Sequence, residues 1–484
     1  MKFYNRENEL ARLREIASLS VDSAHLMVIT GRRRVGKTEL IRKFAEDVEN
    51  VLYFFVSKKK PLVLLEEFKE LLAVSMPILK TVTFNNFRDF FTFLFMQMEQ
   101  QPFFIIFDEF QNFQQVDPSV FSTLQDIWDR QKDVVKGAII CVGSVQTLMQ
   151  DIFEGAKEPL FGRVTARLYL KPLAANVIAD MLQEQNVEPA RQLLFYYTLF
   201  GGIPKYYFLL DRYRLFGNNQ TEIVRKFFCE SDALLQQEGK ELLIEEFGKN
   251  YHLYFSILQV IAGGVTQMAR IADCAGINVN SISKYLEELT TGYQIIERRI
   301  PATETRNEQK IGRYYLKDQF LRFWFRYIFS NQSMIAIGDE AGLLTKINAD
   351  LQTHMGWSFE DLVRTLLLER NDKTIIPFRF SKIGGFWNKS GEVEIDIIAI
   401  DEEDGNILIG ECKLNGNRFT SSEARLLKTK TESIAWRKGS RKEHYALFCM
   451  EAVSASTARS MADEGVSVYR IEDLLCVGAR NAKK

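Results

Sequence analysis

GRRRVGKT, residues Gly31 to Thr38, is the stretch that decides the fold. An apolar run, Leu26 to Ile29, precedes it, and a helical pattern, Glu39 to Ala45, follows. Strand, glycine-bounded loop and helix in that order satisfy G-x-x-x-x-G-K-[ST], the phosphate-binding loop. Gly31 and Gly36 let the backbone curl so that its N–H groups turn inward on phosphate oxygens. Arg32, Arg33, Arg34 and Val35 fill the loop, and Glu39 follows it onto the helix. Lys37 sets a point charge on the β- and γ-phosphates, and Thr38 offers a hydroxyl to Mg2+. The helix N-terminus adds its positive dipole. The stretch points to ATP or GTP.

Moving outward, FYNRENEL (residues 3–10) leads into a predicted helix, Glu7 to Ala17. After the loop, the pattern predicts a strand at Val51 to Val56 and helices at Leu62 to Val74 and Asn86 to Glu99. The next strand, Phe103 to Phe107, runs into Asp108-Glu109. In a parallel sheet, ligands sit at the carboxyl ends of the strands. Asp108 there would hold Mg2+ through water, and Glu109 would orient and deprotonate the attacking water. The alternative is an acidic strand end opening a turn. A fourth strand, Ala138 to Val142, runs into Gly143-Ser144. Ser144 either meets the γ-phosphate or the attacking water, or caps a helix from Ser144 to Gln150. Arg163 precedes a strand at Arg167 to Leu170. It is either a finger completing a neighbour's site or one half of a surface ion pair, with Arg167 the other candidate finger. Alternating strands and helices indicate a parallel sheet covered on both faces. Residues from about 174 to 235 read as a helical lid broken by Gly201-Gly202-Ile203-Pro204.

FYNRENEL, GRRRVGKT, FFIIFDEF, CVGS, PLFGRVTARLYLKPL and GGIPKYY, in this order, resemble the AAA+/STAND-related ATPases called the archaeal-type ATPase family. The resemblance covers the first half of the chain. It implies that Arg6 and the turn from Asn5 to Glu9 lie near the adenine, and that Pro204 lines the adenine pocket. It further implies that Ser144 takes the first sensor position, where many such proteins carry Asn, and that Arg163 is the finger.

From Tyr251 to Ala262 an apolar-periodic helix is closed by Gly263-Gly264. A short helix (Thr266 to Cys274), a tight turn at Gly276-Ile277-Asn278 and a third helix (Val279 to Thr290) follow. An apolar strand (Tyr293 to Ile296) and a charged hairpin to Tyr314-Tyr315-Leu316 complete a winged helix-turn-helix pattern. The exposed positions of the third helix (Asn280, Ser283, Lys284, Glu287, Glu288) are mixed in charge. The wing carries Arg298, Arg299, Arg306, Lys310 and Arg313, which suits phosphate contact better than base reading, and the alternative is an internal scaffold. In the aromatic run Tyr314 to Phe329, the spacing of Phe320, Phe323, Trp324, Tyr327 and Ile328 predicts a buried helix face.

Near the C-terminus, a helix from Gly356 to Arg370 contains Glu360, and GEVEIDIIAI (residues 391–400) and ILIGECKL (residues 407–414) form a hairpin. Asp396 lies on the first strand. Glu411 and Lys413 lie two apart on the second, hence on one face. Asp396 and Glu411, with Glu360 from the helix, would hold Mg2+ on a phosphodiester, and Lys413 would orient the water or stabilise negative charge. The hairpin looks like the core of the PD-(D/E)xK nuclease superfamily, a resemblance covering about 100 residues. A structural carboxylate–lysine pair and a nuclease fold that only binds DNA are the alternatives. From Lys413 to Tyr445 there are nine Lys/Arg against three Asp/Glu. The helix after the hairpin (Ser421 to Trp436), with Arg425, Lys428 and Lys430, would track phosphates, or is a solvated basic face.

The expected fold class is thus α/β: a P-loop NTPase parallel sheet with a helical lid (1–238), a winged-helix domain (239–345) and an α/β PD-(D/E)xK-like domain (346–484). The 484 residues, 46% hydrophobic and 26% charged, suffice for three cores. A net charge of -1 confines any nucleic-acid surface to a patch. Six scattered cysteines without C-x-x-C spacing and four isolated histidines argue against a zinc or histidine metal centre. The charged first ten residues and the lack of a long apolar run lead us to expect a cytoplasmic protein with no membrane contact. The expected cofactors are ATP and Mg2+, and the expected partner is nucleic acid, DNA more than RNA. A finger acting in trans would require a homo-oligomer. The rival function is an ATP-dependent switch or interaction protein whose nuclease fold is inactive.

Overall fold

The computed structural model describes residues 3–248, 251–304 and 311–475. Arg306 and Lys310, expected in a wing, and Cys476 lie outside them. The chain divides into two compact units, one of residues 2–172 with 203–205, the other of residues 173–202 and 206–484. The helices from residue 173 onward therefore cluster with the C-terminal residues and not with the loop's sheet.

In the first unit, β1 (Ala24–Thr30), β2 (Val51–Phe55), β3 (Phe103–Asp108), β4 (Gly137–Val142) and β5 (Ala166–Tyr169) form one sheet in the order β2-β3-β4-β1-β5. All its pairings are parallel. Every residue of β3 and β4 is buried. That explains why they read as continuous apolar runs: a parallel sheet is covered on both faces. Phe54 packs on Phe68 at 4.9 Å and on Phe107 at 5.4 Å between ring centroids. Each such buried ring stabilises by roughly 2–3 kcal/mol, so the many phenylalanines do build the core. Helix starts are chemically marked: Pro61 stands in the first turn of Pro61–Ser75, and Asn86 accepts from the Asp89 N–H at 2.9 Å.

In the second unit the helices Tyr251–Ala262, Met268–Cys274 and Val279–Glu287 precede a two-stranded antiparallel hairpin, β6 (Ile296–Arg299) and β7 (Arg313–Leu316). The first hairpin strand thus starts at Ile296 and not at Tyr293, because Gln294 takes a left-handed turn (φ +53°). Residues Gln319–Ile328 are buried nearly all round, with Phe320 against Tyr206 (4.5 Å) and Phe323 against Phe228 (4.7 Å). Core packing, the expected role, is what these aromatics do.

The helix bearing Glu360 is longer than expected, Glu340–Glu369. Asp339 caps it by accepting from the Gly342 N–H, and Gly356 is carried inside it. A mixed sheet follows: β8 (Lys382–Trp387), β9 (Glu394–Ile400), β10 (Asn406–Lys413), β11 (Lys442–Cys449) and β12 (Val466–Arg470), in the order β12-β11-β10-β9-β8. β8, β9 and β10 pair antiparallel, whereas β11 and β12 join parallel. The basic helix between β10 and β11 stops at Lys430, short of the expected Trp436. Among the described residues no helix is long and apolar enough to cross a membrane.

One buried side chain sets a pH dependence. His354 is fully buried against Phe323, Tyr327 and Trp357, and neither ring nitrogen has a hydrogen-bond partner among the described residues. Burial, then the charges of Arg322 and Arg326, push its pKa down to about 3. The folded state keeps it neutral, while the unfolded chain takes up a proton below about 6.5. Its stability contribution is therefore full above pH 6.5 and is lost as pH falls toward 3. At about 1.4 kcal/mol per unit, pH 5 costs roughly 2 kcal/mol. Urea midpoints at pH 7.5 and 5 should show His354→Leu losing less on acidification than the wild type. An equal loss in both would refute this.

Candidate functional sites

The first site grows from the end of β1. Gly31 has φ +153°, and a Cβ there would stand 2.5 Å from the Leu170 carbonyl oxygen, so no larger residue fits. Gly36 (φ +92°) turns the chain into the helix Lys37–Ala45. Lys37 is buried, its ammonium donating to the carbonyls of Gly31 (2.7 Å) and Arg32 (2.9 Å) at the loop's mouth. Arg34 has a left-handed backbone (φ +70°), and Val35 is fully buried beneath the loop. Arg6, also buried, donates to the carbonyls of Val35 (3.1 Å) and Lys171 (2.9 Å) and pairs with Glu9 (3.0 Å). It ties the N-terminal turn to the loop. Glu39 points to solvent and pairs with Arg42 at 2.6 Å.

At the end of β3, the Asp108 carboxylate accepts from Thr38 (2.8 Å) and Tyr53 (2.7 Å) through Oδ2, and from the Glu109 N–H (2.9 Å) through Oδ1. Burial and this bond to Asp108 raise the Tyr53 phenol's pKa, so it stays a donor. Glu109 adopts the left-handed conformation (φ +56°), which non-glycine residues take up infrequently. Its carboxylate accepts from the Ser144 hydroxyl at 2.9 and 2.8 Å and from the Gln111 amide. Because β4 lies between β1 and β3, Ser144 at its tip stands between the loop and the acids. Ser144 is not a helix cap: the next helix starts at Gln146 and its N-cap is Val145. Tyr53 and Gln111 escaped the sequence reading, since nothing local distinguishes them from other strand and loop residues.

Arg163 forks onto Asp129 (2.6 Å at the shortest) and donates to the Pro159 and Phe161 carbonyls. Arg167 pairs with Glu154 at 3.0 Å. Arg163 is thus in the ion pair considered as its alternative, and Arg167, the other candidate finger, is paired as well. Pro204 opens the helix Pro204–Arg212, half-buried.

The second site lies where β9, β10 and the long helix meet. Asp396 accepts from the Cys412 N–H at 2.8 Å. Glu411, buried, pairs with Lys430 (2.8 Å) and Lys413 (3.4 Å). Burial and the charge of Glu411 raise the pKa of Asp396, and burial and the charge of Asp396 raise that of Glu360, so the three carboxyls sense one another. Next to Glu360, Asp361 is ringed by Arg299 (2.9 Å), Arg322 (2.8 Å) and Arg364. These hold its pKa well below the usual range against the cost of burial. Among the described residues, no three His, Cys, Asp or Glu side chains stand grouped as metal ligands.

Several basic residues differ from expectation. Arg299 turns inward to Asp361 and not to solvent, because neighbours on a strand face opposite ways. Arg425 and Lys428 face Glu464 (2.8 and 3.6 Å), so of that helix Lys430 alone reaches the carboxylates, a role its sequence spacing did not reveal.

A parallel sheet with a glycine-bounded loop at β1 and paired acids at β3 defines a P-loop ATPase domain. Residues 3–210 match the family described as an ATPase domain predominantly from Archaea. Residues 324–427 match one described as archaeal and bacterial proteins of unknown function. An uncharacterised protein of Methanocaldococcus jannaschii is 33% identical over 413 residues, covering 85% of this chain and 87% of that one. The chain belongs to the archaeal-type ATPase family. Among solved structures, a Walker-type ATPase of Pyrococcus abyssi shares the fold at a TM-score of 0.50 and 19% identity, over 67% of this chain and 96% of that one. The Aeropyrum pernix ORC2 protein, in ADPNP and ADP complexes, aligns at only 0.43 and 15% identity, over 72% and 96%.

Proposed function

We propose that this protein hydrolyses ATP and that its nucleotide cycle licenses a Mg2+-dependent nuclease-like site acting on DNA. The observation that carries it is the presence of two separate phosphate-chemistry constellations in one chain: Lys37, Thr38, Asp108 and Glu109 in one unit, and Glu360, Asp396, Glu411 and Lys413 in the other.

In the first, the loop N–H groups and Lys37 bind the phosphates, with Arg6 and Pro204 on the adenine side. Thr38 and Asp108, already 2.8 Å apart, would hold Mg2+ with water. Glu109 takes the proton of the attacking water once its carboxylate leaves Ser144 and Gln111. Arg163 serves as a finger in a homo-oligomer, exchanging Asp129 for a neighbour's phosphate. In the second, Asp396, Glu411 and Glu360 would hold Mg2+, which supplies Lewis acidity when bound. Asp396 and Glu360 are raised by burial and by the carboxylates beside them, which fits a cluster that gains from a bound cation. Lys413 orients the water or meets the developing charge, and Lys430 holds Glu411 in place. The three helices before β6 and the β6–β7 hairpin serve as a winged helix, either an internal scaffold or a DNA-contacting surface.

A second function has an observation of its own. Glu411 is already engaged by two lysines and no ready-made ligand group is present among the described residues. That favours an ATP-dependent switch whose nuclease fold only docks a partner.

A metal-dependent cleavage assay over single- and double-stranded DNA and RNA, with and without ATP, separates the two. Cutting of at least one form is expected with Mg2+ or Mn2+. No cutting of any form leaves only the switch.

A further inference from the structure

A cleft of about 780 Å³ opens in the second unit, walled by the helices Met268–Cys274 and Val279–Glu287, the β6–β7 hairpin and the β8–β9 turn. Its lining includes Arg298, Arg313 and Lys389, the aromatic rings of Tyr314 and Trp387 and, among the described residues, a single acid, Glu287. Arg298 and Tyr314 are cross-strand partners on the hairpin. Arg313 lies over the Trp387 ring at 4.7 Å and pairs with Glu394, an exposed carboxylate that a phosphate can replace.

The position of the cleft matters as much as its chemistry. Trp387 pairs with Glu394 on β9, and Asp396 is two residues further along that strand, about 7 Å away. On β6, Arg298 lines the cleft, while the next residue, Arg299, bonds Asp361 beside Glu360. One strand from each wall therefore leads to the carboxylate cluster.

We infer that this cleft seats a short single-stranded segment of nucleic acid. Arg298, Lys389 and Arg313 take its phosphates, the Tyr314 and Trp387 edges contact bases and sugars, and the strand leads toward Asp396. The volume is that of a small-ligand site and admits one or two nucleotides. A volume that admits one or two nucleotides has no room for the paired strands of a duplex. The inference rests on the nuclease-like reading for its direction but not for binding.

The test is fluorescence anisotropy of the full chain with a labelled twelve-residue oligothymidylate in EDTA, so that neither metal nor cutting enters. The double variant Arg298→Ala/Lys389→Ala should bind at least tenfold more weakly. Its log–log salt slope should be shallower by roughly 1.4, two phosphate contacts at about 0.7 each for a single strand. Lys389→Glu, at an exposed turn, should weaken binding by itself if the double variant does not fold. Folded variants that bind like the wild type overturn the inference. So does saturation of the cleft by a free mononucleotide with no oligonucleotide bound. Failure of the nuclease reading is distinct: a wild-type chain that cuts nothing with Mg2+, while the binding loss in the variants persists, leaves the cleft standing.

Discussion

Lys37→Ala is expected to lower steady-state phosphate release from ATP by at least a hundredfold. The lysine's ammonium already sits at the mouth of the loop, on the carbonyls of Gly31 and Arg32, where under the proposed function a γ-phosphate would take their place. Removing one donor aimed at developing charge costs about 3 kcal/mol in a water-excluded site, which is a factor of more than a hundred in rate. The fold should survive, because the loop is held independently by Arg6 on the Val35 carbonyl and by the close approach of Gly31 to Leu170. A malachite-green assay on the purified variant, checked by circular dichroism, reads the result. Turnover within a few-fold of wild type, in a folded variant, would remove Lys37 from the chemistry.

The second large effect is expected at the other end of the chain. Asp396→Asn and Lys413→Ala should each abolish metal-dependent cutting, a loss of at least about a hundredfold by the same electrostatic argument, without abolishing ATP hydrolysis. Asparagine keeps an acceptor for the Cys412 N–H, so that donor is not left unsatisfied. Lys413→Ala leaves Glu411 paired with Lys430 at 2.8 Å, so its carboxylate is not stranded without a cation. End-labelled DNA resolved on a denaturing gel reads cutting, and phosphate release reads the other site. Cutting that persists in both variants would show that the hairpin's groups are a structural ion cluster.

Much of the nucleotide site was legible in the sequence because its chemistry is local. Loop residues Gly31 to Thr38 must be contiguous to wrap a phosphate, and Asp108-Glu109 must close an apolar strand. What was hidden depends on tertiary placement. Tyr53 reaches Asp108 only because β2 lies beside β3, and Gln111 reaches Glu109 only through a left-handed turn. The arginines of the β6–β7 hairpin read alike in the sequence, yet alternation along β6 sends Arg298 to a cleft and Arg299 into the core. Arg425, Lys428 and Lys430 read as one basic face, but acids from other elements divide them. Helix ends moved for local reasons, as at Ser144, whose hydroxyl bonds Glu109 and leaves the helix to begin two residues later.

Under the proposed function, nucleotide at the Gly31–Thr38 loop governs cutting at the β9–β10 hairpin. The most direct measurement is the initial rate of Mg2+-dependent cutting, with and without ATP, in the wild type and in Lys37→Ala. ATP should change the wild-type rate by at least several-fold and leave the variant unmoved. Cutting that is the same with and without ATP in the wild type would contradict the coupling.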